Sequence, residues 1–313
     1  MRRLANPSLS SSGEEALAQY RVVLWEHEDL TSASRRNYLS DLRHFAAWYE
    51  AHSIRSVDET ASSQVSFNPQ AITTPALIRY RTYLQKDLHQ KPNSVNRALI
   101  SLKRYFGWAM KQQLISYDPS FPVKLVGEEE HAPRHLEDEE EQALVAAVTN
   151  EGTLRDRVLI VLLLHTGLRA REICQLRRDQ VRLGKRSGML EVIGKRNKYR
   201  EVPLNATARK ALEEYLPTLS AEETAFLFRS SKTREALSER ALGYIVKKYA
   251  SSAKLPDVSP HDLRHRFGYR MAETVPLHRL AQIMGHDSLD TTKLYIQGTK
   301  HDLQRAVETI AWT

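Results

Sequence analysis

Apolar residues recur at helical spacing in the first third of the chain. In SASRRNYLSDLRHFAAWYEAH, Tyr38, Leu42, Phe45 and Tyr49 fall on one stripe, with Arg35, Arg36 and Arg43 on the other faces. The segment SVNRALISLKRYFGWAMKQ repeats the design, placing Leu99, Leu102, Phe106 and Met110 inward and Arg97, Lys103 and Arg104 elsewhere. Both read as amphipathic helices whose aromatics fill a core and whose basic faces are either solvated or in contact with a polyanion. The pattern changes in RDRVLIVLLLHTGLRAREICQL, where a continuously apolar run predicts a buried helix that breaks at Thr166 and Gly167. Gly167 permits a sharp turn that sets Arg169 beside a buried helix end, where a guanidinium is costly unless an anion meets it. Glu172, three residues on, is placed to hold that guanidinium or a nearby His, or to make an ordinary helix ion pair.

Alternation takes over in MLEVIGKRNKYREVPL. Two β-like runs, 189–193 and 199–204, flank a polar turn and predict a hairpin with Lys195 at its tip and Lys198 nearby. Helical spacing returns in LSERALGYIVKKYASSA, which Ser238 would cap and which carries Arg240, Lys247 and Lys248.

The stretch from Ser259 to Tyr295 holds the densest candidate chemistry. Ser259 and Pro260 read as an N-cap and a first helical residue, because Pro lacks a donor that the first turn could not use. His261, Arg264 and His265 then rise from one face near the end whose dipole favours an anion. Gly285 suits the left-handed closing position of the next helix and leaves His286 at its mouth, while Tyr295 follows on a short segment that Asp290 could cap. Imidazoles, guanidiniums and a phenol at these spacings suit attack on a phosphodiester. In a chain with 12 His and 13 Tyr, any one of them is more often a packed amphipathic side chain, and only the set together points to chemistry.

Arg169, Lys195, His261, Arg264, His286 and Tyr295 stand in the order and local context of the tyrosine site-specific recombinases, or phage integrase family. The strings TGLRAREI, IGKRNKYREVPL, SPHDLRHRF and MGHDSLDTTKLY each resemble that family's boxes, and the likeness is closest to the Xer-type recombinases and spans nearly the whole chain. The resemblance implies a mainly α fold with a small β-sheet. A helical core-binding domain over residues 14–120, a linker over 121–133 and an α+β catalytic domain over 134–313 with a tail helix would form a C-shaped clamp on DNA. It implies that Tyr295 attacks the scissile phosphate to give a 3′-phosphotyrosyl intermediate, which stores the ester bond without ATP. Arg169 and Arg264 would grip the non-bridging oxygens, Lys195 would protonate the leaving 5′ oxygen, His261 would assist proton transfer with the tyrosine, and His286 would hydrogen-bond the phosphate. Glu172 would support them, and no metal or other cofactor is implied. Arg35, Arg36, Arg43, Arg97, Lys103, Arg240 and Lys247 are candidate DNA contacts. The implied partners are a double-stranded recombination site and a homotetramer on two duplexes through a four-way junction, with a second recombinase or an accessory protein left open. The stripe Leu303, Ala306, Val307 and Ile310 would dock on a neighbouring subunit or on its own domain.

Charge agrees with a polyanionic partner. The 313 residues carry a net charge of +8, with 16 Lys or Arg against 11 acids over residues 1–125 and 29 against 19 over residues 143–313. Residues 126–142 hold eight acids and one Arg, an acidic joint that reads as an exposed linker followed by a solvated helix start. The single cysteine, Cys174, cannot pair within the chain and suits burial in a reducing cytoplasm. The first residues lack an apolar signal region, and VLIVLLL is too short to span a membrane. Three other readings remain open at this point: a metal-dependent phosphohydrolase built on His261–Asp262 and His286–Asp287, a type IB topoisomerase, and a DNA-binding protein without catalysis.

Overall fold

A computed structural model describes residues 8–26, 30–53, 66–127, 134, 136–194, 199–220, 225–286, 288–295 and 307–308. The chain divides into two compact units, Met1–Glu130 and His131–Thr313. Together their described elements give the mainly α fold with one small sheet that the sequence predicts.

The first unit is built from α1 (Ser11–Glu26), α2 (Ser32–Ser53), α3 (Thr74–Thr82) and α4 (Pro92–Lys111). The helices α1 and α3 add to the two amphipathic segments read above. Phe45 sits at the centre, edge-on to Phe67, Tyr80 and Phe106, and Leu42, Leu99 and Leu102 close the core around it. Met110 departs from expectation. At 3.6 residues per turn the inward stripe of α4 runs through Leu99, Leu102, Phe106 and Ala109, so Met110 rotates out and is 49% exposed. The segment expected to open a linker also packs here: Val123 is buried in this core, and the Asn96 side chain both donates to and accepts from the Val126 backbone.

The second unit contains α5 (Asp138–Glu151), α6 (Leu154–Thr166), α7 (Ala170–Gln175), α8 (Ala206–Tyr215), α9 (Glu239–Ser252), α10 (Pro260–Ala272), α11 (Leu277–Met284) and α12 (Leu289–Lys293). Residues 158–164 of α6 are all buried, so this helix is the axis of the unit, each such side chain contributing roughly 1.5–3 kcal/mol relative to exposure. The expected hairpin is β2 (Gly188–Ile193) with β3 (Tyr199–Pro203), joined antiparallel by β1 (Val181–Leu183), in the order β1-β2-β3. Register pairs Leu190 with Val202 and Val192 with Arg200, which puts Arg200 on the face that looks inward. Lys195 and Lys198 lie outside the described residues, as does the tail stripe apart from Val307.

The acidic start of α5 is not simply solvated. Glu137 and Glu140 form its capping box, while Glu141 and Asp138 pair with the buried Arg266 of α10, and Glu141 also pairs with Arg270. The acids thereby anchor the helix that carries the reactive residues. Cys174 is buried on α7, and burial pushes its thiol up to about 12. Among the described residues no helix is long and apolar enough to cross a membrane.

Candidate active site

Three turns and one helix assemble the site. Gly167 closes α6 in the left-handed conformation (φ 61°), and a Cβ there would strike the Phe267 ring, so glycine is required on both counts. The chain then reverses and Arg169 takes the N-cap position of α7. Ser259 and Pro260 start α10 as expected, and Asp262 completes the cap by accepting from the Ser259 amide and hydroxyl (2.8 and 2.6 Å). Asp262 is therefore engaged in the cap, and among the described residues no three His, Cys, Asp or Glu side chains cluster as a metal centre. Gly285 closes α11 at φ 66° and delivers His286, as expected. Asp290 is the second residue of α12 and not its cap, because the helix already begins at Leu289.

These elements bring Arg169, Arg264, His286 and Tyr295 together. Arg264 is 5% exposed and donates to the carbonyls of Gly167 and Met284 (2.9 Å to the latter) and to Nε2 of His286 (2.9 Å). Because a guanidinium only donates, Nε2 of His286 must accept, so Nδ1 carries the proton and donates to Thr292 Oγ1 at 2.8 Å. Burial, then Arg264 and Arg169, hold His286 down to about 4, while burial and the neighbouring Arg169 lower Arg264 to about 10, leaving it charged at neutral pH. Tyr295 is 6% exposed; its ring stacks on His286 (centroids 6.2 Å, 17°) and meets Tyr269 edge-on. Burial lifts the phenol above its ordinary value, against the pull of Arg264.

Glu172 exceeds a helix ion pair. It accepts from the Arg169 amide (2.8 Å) and side chain (2.9 Å), and its two oxygens take Arg200 in a bidentate fork (2.8 Å each). Burial works to raise its pKa, but the hydrogen bonds and charge of Arg200, then of Arg169, outweigh it and hold the carboxyl below its usual range. Arg200 also donates to the Ile283 carbonyl at 3.1 Å, so one side chain ties β3 to α7 and α11. Sequence reasoning missed it. Period-two alternation with Val202 was the available signal, since an inward Arg demands a carboxylate.

A second imidazole of α10 meets the phenol. His265 Nδ1 lies 3.0 Å from the Tyr295 hydroxyl, whereas His261, one turn earlier, is exposed. His261, expected to assist the tyrosine, stands at the rim with its ring centre 6.4 Å from that of His265.

Most candidate DNA contacts in the first unit already have partners. Arg43 pairs with Glu14, Arg97 with the buried Asp41 (2.7 Å), and Lys103 with the carbonyls of Ser120 and Phe121 (2.6 and 3.2 Å). In the second unit α9 is capped by Ser238 as expected, and its exposed Arg240 lies over Tyr244, 5.7 Å from the ring centre.

His286 makes a testable contribution to pH stability. Its folded value lies below the ordinary 6.5, so the unfolded chain takes up the proton first as pH falls, and stability present near neutrality is lost between about 6.5 and 4. His44 and His165, also lowered by burial, act with the same sign. Thermal melts at stepped pH are expected to show a shallower decline through this window for His286→Gln than for the parent; parallel curves would contradict the assignment.

The family model described as the phage integrase family matches residues 134–301, and that of the phage integrase N-terminal SAM-like domain matches residues 17–113. The chain belongs to the phage integrase family. Within it the likeness runs to Xer tyrosine recombinases. The chain is 28% identical over 305 residues to tyrosine recombinase XerD of Ralstonia nicotianae, covering 95% of this chain and 94% of that one. It is 29% identical over 299 residues to tyrosine recombinase XerC of Pelobacter propionicus, covering 94% and 93%. Among solved structures, the XerH site-specific recombinase bound to difH substrate in a pre-cleavage complex shares the fold, with a TM-score of 0.71 at 22% identity over 96% of this chain and 91% of that one.

Proposed function

We propose that this chain is a site-specific DNA recombinase that cuts and rejoins strands through a covalent link to Tyr295. The observation that carries the reading is the convergence of Arg264, His286, Arg169 and the Tyr295 phenol on one point within the second unit. Duplex binding alone requires no such convergence. In this reading the phenol oxygen attacks phosphorus, the bond to the 5′ oxygen breaks, and Lys195 protonates that oxygen to leave a free hydroxyl and a 3′-phosphotyrosyl ester. Attack by the hydroxyl of a second strand reverses the steps and releases the tyrosine. Arg169 and Arg264 stabilise charge on the non-bridging oxygens as bidentate forks. His286 orients Arg264 while its Nε2 accepts from that guanidinium, and it would hydrogen-bond the phosphate once Nε2 takes up a proton and exchanges Arg264 for a non-bridging oxygen, with His261 standing at the rim.

The proposed substrate is a pair of double-stranded recombination sites, joined by a homotetramer through a Holliday junction, in the cytoplasm at the bacterial nucleoid. The exposed Arg240, Lys247 and Arg36 lead the proposed phosphate-contacting set, and Arg35, Arg43, Arg97 and Lys103 would reach DNA only from positions they already hold. Integration and excision of a mobile element, resolution of replicon dimers and cointegrate resolution all fit this chemistry, with or without a second recombinase or accessory protein.

The guanidiniums and Lys195 supply the positive charge that a divalent ion supplies in other phosphoryl-transfer sites. Strand exchange between two labelled duplexes is therefore expected to proceed in excess EDTA. Its loss in EDTA would contradict the reading, and relaxation of a single supercoiled circle without any exchange would favour a type IB topoisomerase.

A further inference from the structure

A phenol that attacks phosphorus must give up its proton as the new bond forms. Burial makes this harder for Tyr295, whose 6% exposure leaves little water to take it. Three imidazoles stand near. His286 is committed, its Nε2 to Arg264 and its Nδ1 to Thr292, and its ring lies nearly parallel to the phenol ring, so neither nitrogen aims at the hydroxyl. His261 stands at the exposed rim. His265 alone of the three makes the hydrogen bond, Nδ1 to phenol oxygen at 3.0 Å, with the rings 5.7 Å apart and tilted by 54°.

The helix that carries His265 also shapes the slot for the ring. Gly268 lies three residues on, on the same face, and a Cβ there would stand 2.6 to 2.8 Å from three carbons of the Tyr295 ring. The glycine lets the phenol lie against α10, directly beneath His265. Arg264 is the preceding residue, so one turn of helix holds both a phosphate-gripping cation and the group facing the nucleophile.

We propose that His265 is the base that receives the Tyr295 proton during cleavage and returns it during rejoining, a role that rests on the reading of Tyr295 as nucleophile. As the phenol oxygen bonds to phosphorus, its proton passes to Nδ1 of a neutral His265. The electron pair of the breaking bond leaves with the 5′ oxygen, which takes a proton from a separate acid, Lys195 in the reading above. On rejoining, the imidazolium hands its proton to the departing phenol oxygen and is neutral again.

The test is the single-turnover rate of covalent adduct formation by the full chain, on nicked duplexes taken from the DNA flanking its own gene. His265→Gln and, as a second variant, His265→Asn are each made with tyrosine and with ring-fluorinated tyrosine at position 295. Loss of the base is expected to slow adduct formation by about 10²–10⁴-fold. Fluorination acidifies the phenol and is expected to recover much of that loss in the His265 variants, yet to give no comparable recovery in His261→Gln. Because each comparison is made within one variant, a folding defect common to both forms cancels. Adduct formation at the parental rate in the His265 variants, or a defect that fluorination leaves untouched, would overturn the proposal. Tyr295→Phe separates the two layers: an adduct still formed by that variant sinks the nucleophile reading itself, whereas no adduct there beside parental rates in the His265 variants sinks only the role of His265.

Discussion

Tyr295→Phe is expected to bind DNA and fold as the parent does while losing strand cleavage by about 10⁴-fold or more, the scale seen when a covalent nucleophile is removed. The substitution deletes one oxygen. The ring that remains keeps its place on Gly268, its edge contact with Tyr269 and its stacking on His286. The hydrogen bond to His265 is lost, but that partner is only half-buried, so its imidazole is left within reach of water. Stability should therefore change little, and the effect should be confined to chemistry. Denaturing gels of radiolabelled nicked duplex read the result directly: a band of protein linked to DNA for the parent and none for the variant, with gel shifts showing equal binding. Equal amounts of linked protein would refute the role of this side chain.

Glu172→Ala is expected to be the most damaging substitution to the site's framework. Glu172 is buried and is the common acceptor for the Arg169 amide, the Arg169 guanidinium and both terminal nitrogens of Arg200. Without it Arg200, whose side chain is only 12% exposed, keeps its Ile283 bond but loses the carboxylate it pairs with among the described residues. Removing one partner of such a buried pair costs about 3–5 kcal/mol, discounted here for Arg169, which reaches solvent. The loosened Arg200 no longer ties β3 to α7, and Arg169 loses its bonds to Glu172 and is left with the one to the Gly285 carbonyl. Urea titration should show a lower midpoint, and cleavage should fall by more than the unfolded fraction explains. Glu172→Gln, which keeps an acceptor, should lie between. A Glu172→Ala variant with the parental midpoint and rate would mean that the fork does not organise the site.

Where the fold was legible in the sequence, the reason was a short-range rule with one physical cause. The Ser259–Pro260 start of α10, the left-handed closures at Gly167 and Gly285 and the buried axis of α6 each follow from a residue type and its immediate neighbours. The inward stripe of α4 was readable over three turns and then drifted, because spacing by four overruns a period of 3.6 and carried the expectation to Met110 in place of Ala109. Long-range partners were harder. Nothing within a few residues of Arg200 announces that it will meet Glu172 from another element, although its alternation with Val202 held the clue. The acids of α5 read as solvated for the same reason, since Arg266 lies more than a hundred residues away in sequence. For His261 and His265, both on the expected face, only the seating of the Tyr295 ring, just past α12, against Gly268 of α10 decides which imidazole meets the phenol.

The central claim is that folding gathers guanidinium, imidazole and phenol around one phosphate so that Tyr295 takes it covalently. The most direct measurement digests the covalent product of the parent protein with a nicked duplex and sequences the DNA-linked peptide by mass spectrometry. The account predicts a single linked peptide with the added nucleotide mass on Tyr295, joined through a 3′ phosphate, and a free 5′ hydroxyl on the released strand. A link at any other residue, or a 5′ phosphate attached to the protein, would contradict it.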